Sequence, residues 1–143
     1  MFSNVMEVKF LSKPKVLVVG SLNIDMILKI ERMPEVGENL FVKEFSMLPG
    51  GKGNNQAVAC ARLGALVSMI GKVGDDEFGE RLFTNLAQEN VDFAFVTRQV
   101  LVHTGLAFIF VDEKGENRIL VAPGANMELS VTDLNNALEL FKA

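Results

Sequence analysis

Short apolar runs, most of them closed by glycine or a polar pair, divide this chain into a series of elements. Lys15 to Gly20 (KVLVVG) is rich in valine and ends in glycine, the pattern of a strand buried on both faces of a parallel sheet. In SLNIDMILKI, which follows, Asn23 and Asp25 alternate with Ile24 and Met26, so an extended chain puts the polar pair on one side and the apolar pair on the other. Pro34 and Gly37 mark a turn, and Asn39 to Met47 reads as another strand with Leu40, Val42 and Glu44 on one face and Phe41, Lys43 and Phe45 on the other. After the alanine-rich run AVACAR, Gly64 closes a helix, and Ala65 to Gly74 supplies the next buried strand. Asp75 or Asp76 can cap a following helix, whose apolar face is Phe78, Leu82, Phe83 and Leu86 and which Asn90 ends. Phe93 to Arg98 is a third strand of the same sheet, and the order strand, helix, strand, helix, strand implies right-handed parallel crossovers. Runs from Thr104 and from Asn117 flank E-K-G-E, a hairpin in which Gly115 takes positive φ. Ser130 to Asp133 is a capping box, and Leu134, Ala137, Leu138 and Phe141 form the stripe of a last helix. Strand follows strand twice without a helix between, which predicts a small antiparallel sheet beside the parallel one.

The stretch from Leu48 to Gly64, LPGGKGNNQAVACARLG, joins these two parts. Gly50 and Gly51 let the backbone take positive φ and come close to a ligand, and the alanine-rich run has high helix propensity. A tight loop feeding a helix N-terminus turns unpaired N–H groups outward, which suits an anion or a hydroxyl-rich ligand. A plain strand-to-helix turn with asparagine caps accounts equally for the loop taken alone. Lys52 is followed by Gly53 rather than Ser or Thr, which excludes a Walker A loop, and the spacing does not match G-x-G-x-x-G. Asn23 and Asp25 likewise stand between two readings: an exposed polar edge, or ligand contacts just past the C-terminal end of a buried strand.

Composition narrows the choices. With 143 residues, 49% of them hydrophobic, the chain makes one domain or less with room for a core. The net charge of −4 argues against nucleic acid or an anionic membrane surface as the partner. Cys60 is the only cysteine, so there is no internal disulfide, which fits the reducing cytoplasm; among alanines it is placed as a small hydrophobe. His103 has no second histidine or cysteine pair near it and is expected at the surface rather than on a metal. Residues 1–14 lack the apolar run of a signal peptide or membrane span and are expected to form a loosely held leader.

Taken as an ordered set, the motifs resemble the ribokinase family, the sugar kinases of the phosphofructokinase-B type. They are V-V-G-S-L-N-I-D at Val18 to Asp25, P-E-V-G-E at Pro34 to Glu38, G-G-K-G-N-N-Q-A at Gly50 to Ala57 and G-K-V-G-D-D-x-F-G at Gly71 to Gly79, followed by T-G at Thr104 and G-E-N-R-I at Gly115 to Ile119. The pairing of N-x-D with G-G-K-G-x-N is closer to the ribokinase branch than to the adenosine kinase or fructokinase branches. The resemblance implies an α/β fold over residues 15–143: a Rossmann-type parallel sheet flanked by helices, with a β lid from about residues 22–30, 39–47 and 104–122. It implies that Asn23, Asp25, Gly51, Lys52, Gly53 and Asn55 hold a sugar, with Ala107 and Ile119 as apolar wall. Lys52 would reach it through its backbone, its ammonium left in solvent. As a carboxylate, Asp25 can accept two hydroxyl hydrogen bonds.

The resemblance further implies ATP, Mg²⁺ and a monovalent cation (K⁺) for a complete family enzyme, and a homo-oligomer formed through the lid or an exposed sheet face. Its phosphoryl-transfer segment, of G-A-G-D type, has no counterpart in this chain; Gly124-Ala125-Asn126 is the nearest string. Phosphoryl transfer requires positioning, charge neutralisation and a hydroxyl-orienting base together. The expectation is therefore a sugar-binding, lid-bearing portion of an ATP-dependent ribose kinase, without turnover on its own. Two other readings are kept: a sugar-binding module without chemistry, and a self-associating β-lid fragment.

Overall fold

The computed structural model describes residues 13–142. In chain order the elements are β1 (Lys15–Val19), β2 (Asn23–Lys29), β3 (Glu44–Gly50), α1 (Lys52–Arg62), β4 (Leu66–Gly74), α2 (Glu77–Gln88), β5 (Val91–Gln99), β6 (Gly105–Val111), β7 (Asn117–Ala122) and α3 (Val131–Asn136). Single 3₁₀ turns follow at Gly124–Glu128 and Leu138–Lys142. The leader expected over residues 1–14 lies almost wholly outside the described residues.

β1, β4 and β5 form a parallel sheet in the order β1-β4-β5. Its core joins Val18, Val67, Met69 and Val73 of the strands to Ala57 of α1 and to Leu82 and Leu86 of α2, all buried. Burial of these apolar side chains holds the two helices on the sheet, each Val, Leu or Met contributing about 1.5–3 kcal/mol before its entropy cost. Cys60 packs partly buried against this core. Asp76 is the N-cap of α2 and accepts a hydrogen bond from Gly79 N at 2.9 Å. The Phe83 and Phe93 rings meet tilted by 42° with centroids 5.4 Å apart, and the Arg98 guanidinium lies 4.6 Å from the Phe83 centroid.

Four strands in the order β3-β2-β6-β7 form the second sheet, the lid. The expected antiparallel sheet is in fact mixed, because β2 and β6 run parallel, Asn23 opposite Gly105 and Lys29 opposite Val111. Both strands enter the lid from the ends of main-sheet strands, β1 and β5, that already run the same way. The strand expected at residues 39–47 is displaced to Glu44–Gly50. Seven residues of β2 pair with seven of β3, from Asn23 with Gly50 to Lys29 with Glu44, so the chain before Glu44 runs past the end of its partner and Phe41 is 96% exposed. Pro49 is tolerated because β3 is an edge strand.

Two further expectations are corrected. β1 is not buried on both faces: α1 and α2 cover the side of Val18, while Val19 stays 44% exposed. On the uncovered side Leu17, Leu66, Leu140 and Phe141 border an open groove of about 460 Å³. The continuous last helix is also absent. The Ser130–Asp133 capping box forms, with Ser130 N 2.8 Å from Asp133 Oδ2, but α3 ends after six residues. Asn135 and Asn136 are weak helix formers, and no apolar side chain of α3 is fully buried to compensate, so the chain tightens into a 3₁₀ turn that leaves Leu138 and Phe141 exposed. An ion pair of Lys72 with Asp133 at 3.1 Å, both side chains largely buried, ties α3 to β4.

Candidate functional site

The junction between the two sheets is set by one backbone conformation. Gly51 precedes α1 with φ 93°, and a Cβ there would stand 2.7 Å from Ser21 O and 2.8 Å from Asn23 N. Only glycine allows both the angle and the approach. The result is that the first turn of α1 abuts the Ser21–Asn23 segment, with Asn54 N donating to Ser21 O at 3.1 Å. Asn54 is itself buried, and its Oδ1 accepts from Asn85 of α2 at 3.2 Å.

A cavity of about 480 Å³ opens at this junction. Asn23 and Asp25 of β2 enter it side by side, as their alternation predicts, while Ile24 behind them is fully buried. Gly51, Lys52 and Asn55 border it from the start of α1. The lid register supplies the rest: Asp25 lies opposite Ala107, which lies opposite Val121, and the next row on that face runs Ile27, Ile109, Ile119. Ala107, Ile109, Ile119 and Val121 form the apolar wall. Gly53, in contrast, does not border the cavity. It is buried against Gly20, where a Cβ would stand 2.7 Å from the Gly20 carbonyl carbon, so it packs helix on strand. His103 lies exposed just before β6, its Nδ1 2.8 Å from Thr104 O.

The Asp25 carboxylate is the charged acceptor of the cavity. Burial raises its pKa above the usual 3.8, with no compensating partner among the described residues. Gly50 makes room for it, since a Cβ on Gly50 would fall 2.1 Å from Asp25 Oδ2. A partly desolvated carboxylate beside asparagine amides and an apolar wall matches a hydroxylated ring with one apolar face.

Five lining residues escape the sequence reading: Ser21, Ile109, Val121, Pro123 and Asn126. Ile109 and Val121 follow from the same period-two alternation that gives Ala107 and Ile119. Asn126 carries no local signal: it sits in the 3₁₀ turn after β7, more than 100 positions from Leu22 and Asn23, which it touches. Its Oδ1 accepts from Leu22 N at 2.9 Å, and the two N–H bonds of its Nδ2 are shared among three acceptors, Leu22 O, Asn23 Oδ1 and Pro123 O, at 3.0, 2.9 and 3.0 Å. A second polar knot lies outside the cavity. Buried Thr104 donates from Oγ1 to Asp76 Oδ1 at 2.6 Å and from N to Asp76 Oδ2 at 2.8 Å, and accepts from Gly74 N at 2.9 Å. Burial alone would raise the Asp76 pKa, but these bonds and those from the backbone of Gly79 and Phe78 outweigh it and hold it below the usual value.

Residues 13–143 match the pfkB family of carbohydrate kinases, and the chain belongs to that family. It is 44% identical over 129 residues to a ribokinase of Lactococcus lactis, covering 90% of this chain and 42% of that protein. To a ribokinase of Bacillus subtilis it is 40% identical over 124 residues, covering 87% and 42%. Among solved structures, an Arabidopsis thaliana ribokinase complexed with ribose and ATP superposes with a TM-score of 0.71 at 35% identity, over 81% of this chain and 38% of that one. The chain thus spans about two fifths of the length of the curated relatives it matches. Among the described residues no helix is long and apolar enough to cross a membrane.

Proposed function

We propose that this chain is the sugar-binding and lid portion of an ATP-dependent kinase that phosphorylates D-ribose, or a closely similar pentose, at its O5 hydroxyl in the cytoplasm. The observation that carries this reading is the convergence of Asn23, Asp25, Gly51, Lys52 and Asn55, from two separate elements, on one cavity roofed by the lid hairpin. Asp25 accepts hydrogen bonds from sugar hydroxyls, Asn23 and Asn55 donate to them, and the Ala107 and Ile119 wall packs against the ring. Lys52 is exposed at the first turn of α1, so its backbone meets the sugar and its ammonium stays in solvent. Gly53 serves the site indirectly, by letting α1 approach Gly20.

ATP, Mg²⁺ and K⁺ belong in this proposal to the longer protein. Among the described residues no group of three or more carboxylate, histidine or cysteine side chains could hold a metal ion. The chain alone binds a pentose with millimolar or weaker affinity, about −4 kcal/mol or less favourable, and forms no ADP. Replacing Asp25 with alanine tests the site. Loss of D-ribose binding by calorimetry, with thermal stability kept, supports it; retained binding contradicts it.

A second reading has its own support. Phe45, Leu48 and Leu120 of the lid, and Leu66 and Phe141 at the groove, are exposed apolar side chains. Such surfaces favour association of copies through the lid or through the main sheet.

A further inference from the structure

We infer that Asn126 is a positioning residue that fixes which end of the Asn23 amide faces the cavity, and so sets the hydrogen-bonding polarity of the site; this rests on the sugar-site reading above. The orientation of Asn126 is dictated by backbone groups. Its Oδ1 faces the Leu22 N–H at 2.9 Å, which can only donate, and its Nδ2 faces the Leu22 and Pro123 carbonyls at 3.0 Å each, which can only accept. An amide turned the other way would set like against like at all three contacts. With Asn126 fixed, the Asn23 atom 2.9 Å from its Nδ2 must be an acceptor, so it is Oδ1. Both N–H bonds of Asn23 are then left for the cavity, beside the acceptor-only carboxylate of Asp25. A ligand hydroxyl placed between them accepts from Asn23 and donates to Asp25, using both of its capacities. An ether oxygen or a C–H group in the same place fails one or both contacts.

A second feature shows that the pair is built in. Gly105 backs onto it: a Cβ there would fall 2.2 Å from Asn126 Nδ2, 2.3 Å from Asn23 Oδ1 and 2.8 Å from Leu22 O. The glycine that opens β6 is therefore required by the Asn23–Asn126 contact.

The test is Asn126→Asp in the 143-residue chain, followed by side-chain amide NMR and ribose titration. The substitution keeps an acceptor for Leu22 N but places an oxygen against Asn23 Oδ1. The Asn23 amide is expected to turn, so its side-chain signals shift before any sugar is added. Affinity for D-ribose is expected to fall about tenfold or more. Across ribose analogues each lacking one hydroxyl, the wild type singles out one position, and the variant loses that preference. Unmoved Asn23 signals, or an equal loss for every analogue, overturn the inference. A wild-type chain that ignores ribose defeats the sugar reading, while the sugar-free spectra still decide what orients Asn23. If the variant does not fold, the wild type decides. Slow exchange and contacts to Leu22 and Asn23 for the Asn126 amide protons support the inference, and free exchange with water overturns it.

Discussion

Asp25 and Asp76 are carboxylates with opposite relations to stability. Burial raises the Asp25 pKa above 3.8, so ionising it costs folding energy; that cost is absent in strong acid and fully present above the folded pKa. Asp25→Asn should therefore raise the melting temperature at neutral pH, change it little near about pH 3, and abolish ribose binding, as scanning calorimetry and titration would show. Unchanged stability at neutral pH would contradict the burial argument. Asp76 is held below its usual value by Thr104 and the α2 N-terminus against its burial, so it contributes stability above about the unfolded pKa that is lost as pH falls through the folded one. Thr104→Val should cost about 1–3 kcal/mol at neutral pH and less in acid. A penalty that does not change with pH would mean that the Asp76 charge plays no part in the knot.

Between elements, the decisive contact is the seating of α1 against the Ser21–Asn23 segment. Gly51→Ala should cost about 2 kcal/mol or more, from a φ of 93° and a Cβ pressed on Ser21 O, and should weaken sugar binding with it. Wild-type stability and affinity would show that the loop has room to move. This junction was legible in the sequence because Gly50, Gly51 and the alanine run are local signals, and so was the Asn23–Asp25 face, which needs only alternation. What could not be read depends on partners distant along the chain. The start of β3 is set by the length of β2, not by the apolar run at Leu40 to Val42. The direction of β6 is set by strands of the other sheet. The exposure of β1 depends on what lies against its second face, and Asn126 reaches its site only through the fold.

At the scale of the whole molecule, two sheets meet at one cavity, with the helices of the parallel sheet behind it and the lid hairpin over it. The open groove beside β1 and the exposed lid residues predict concentration-dependent association; a strictly monomeric species by light scattering at high concentration would contradict that. A coupled assay with ribose, ATP, Mg²⁺ and K⁺ should show no ADP from this chain alone, and turnover that follows the pure chain would place a base and a nucleotide site within it. The most direct test of the sugar site is a D-ribose titration of the isotope-labelled chain followed by NMR. The expected result is a saturable shift, in the millimolar range, confined to Asn23, Asp25, Gly51, Asn55 and the facing residues of the lid hairpin. No movement of those signals at high ribose, or movement spread evenly over the surface, would contradict a pentose site in this cavity.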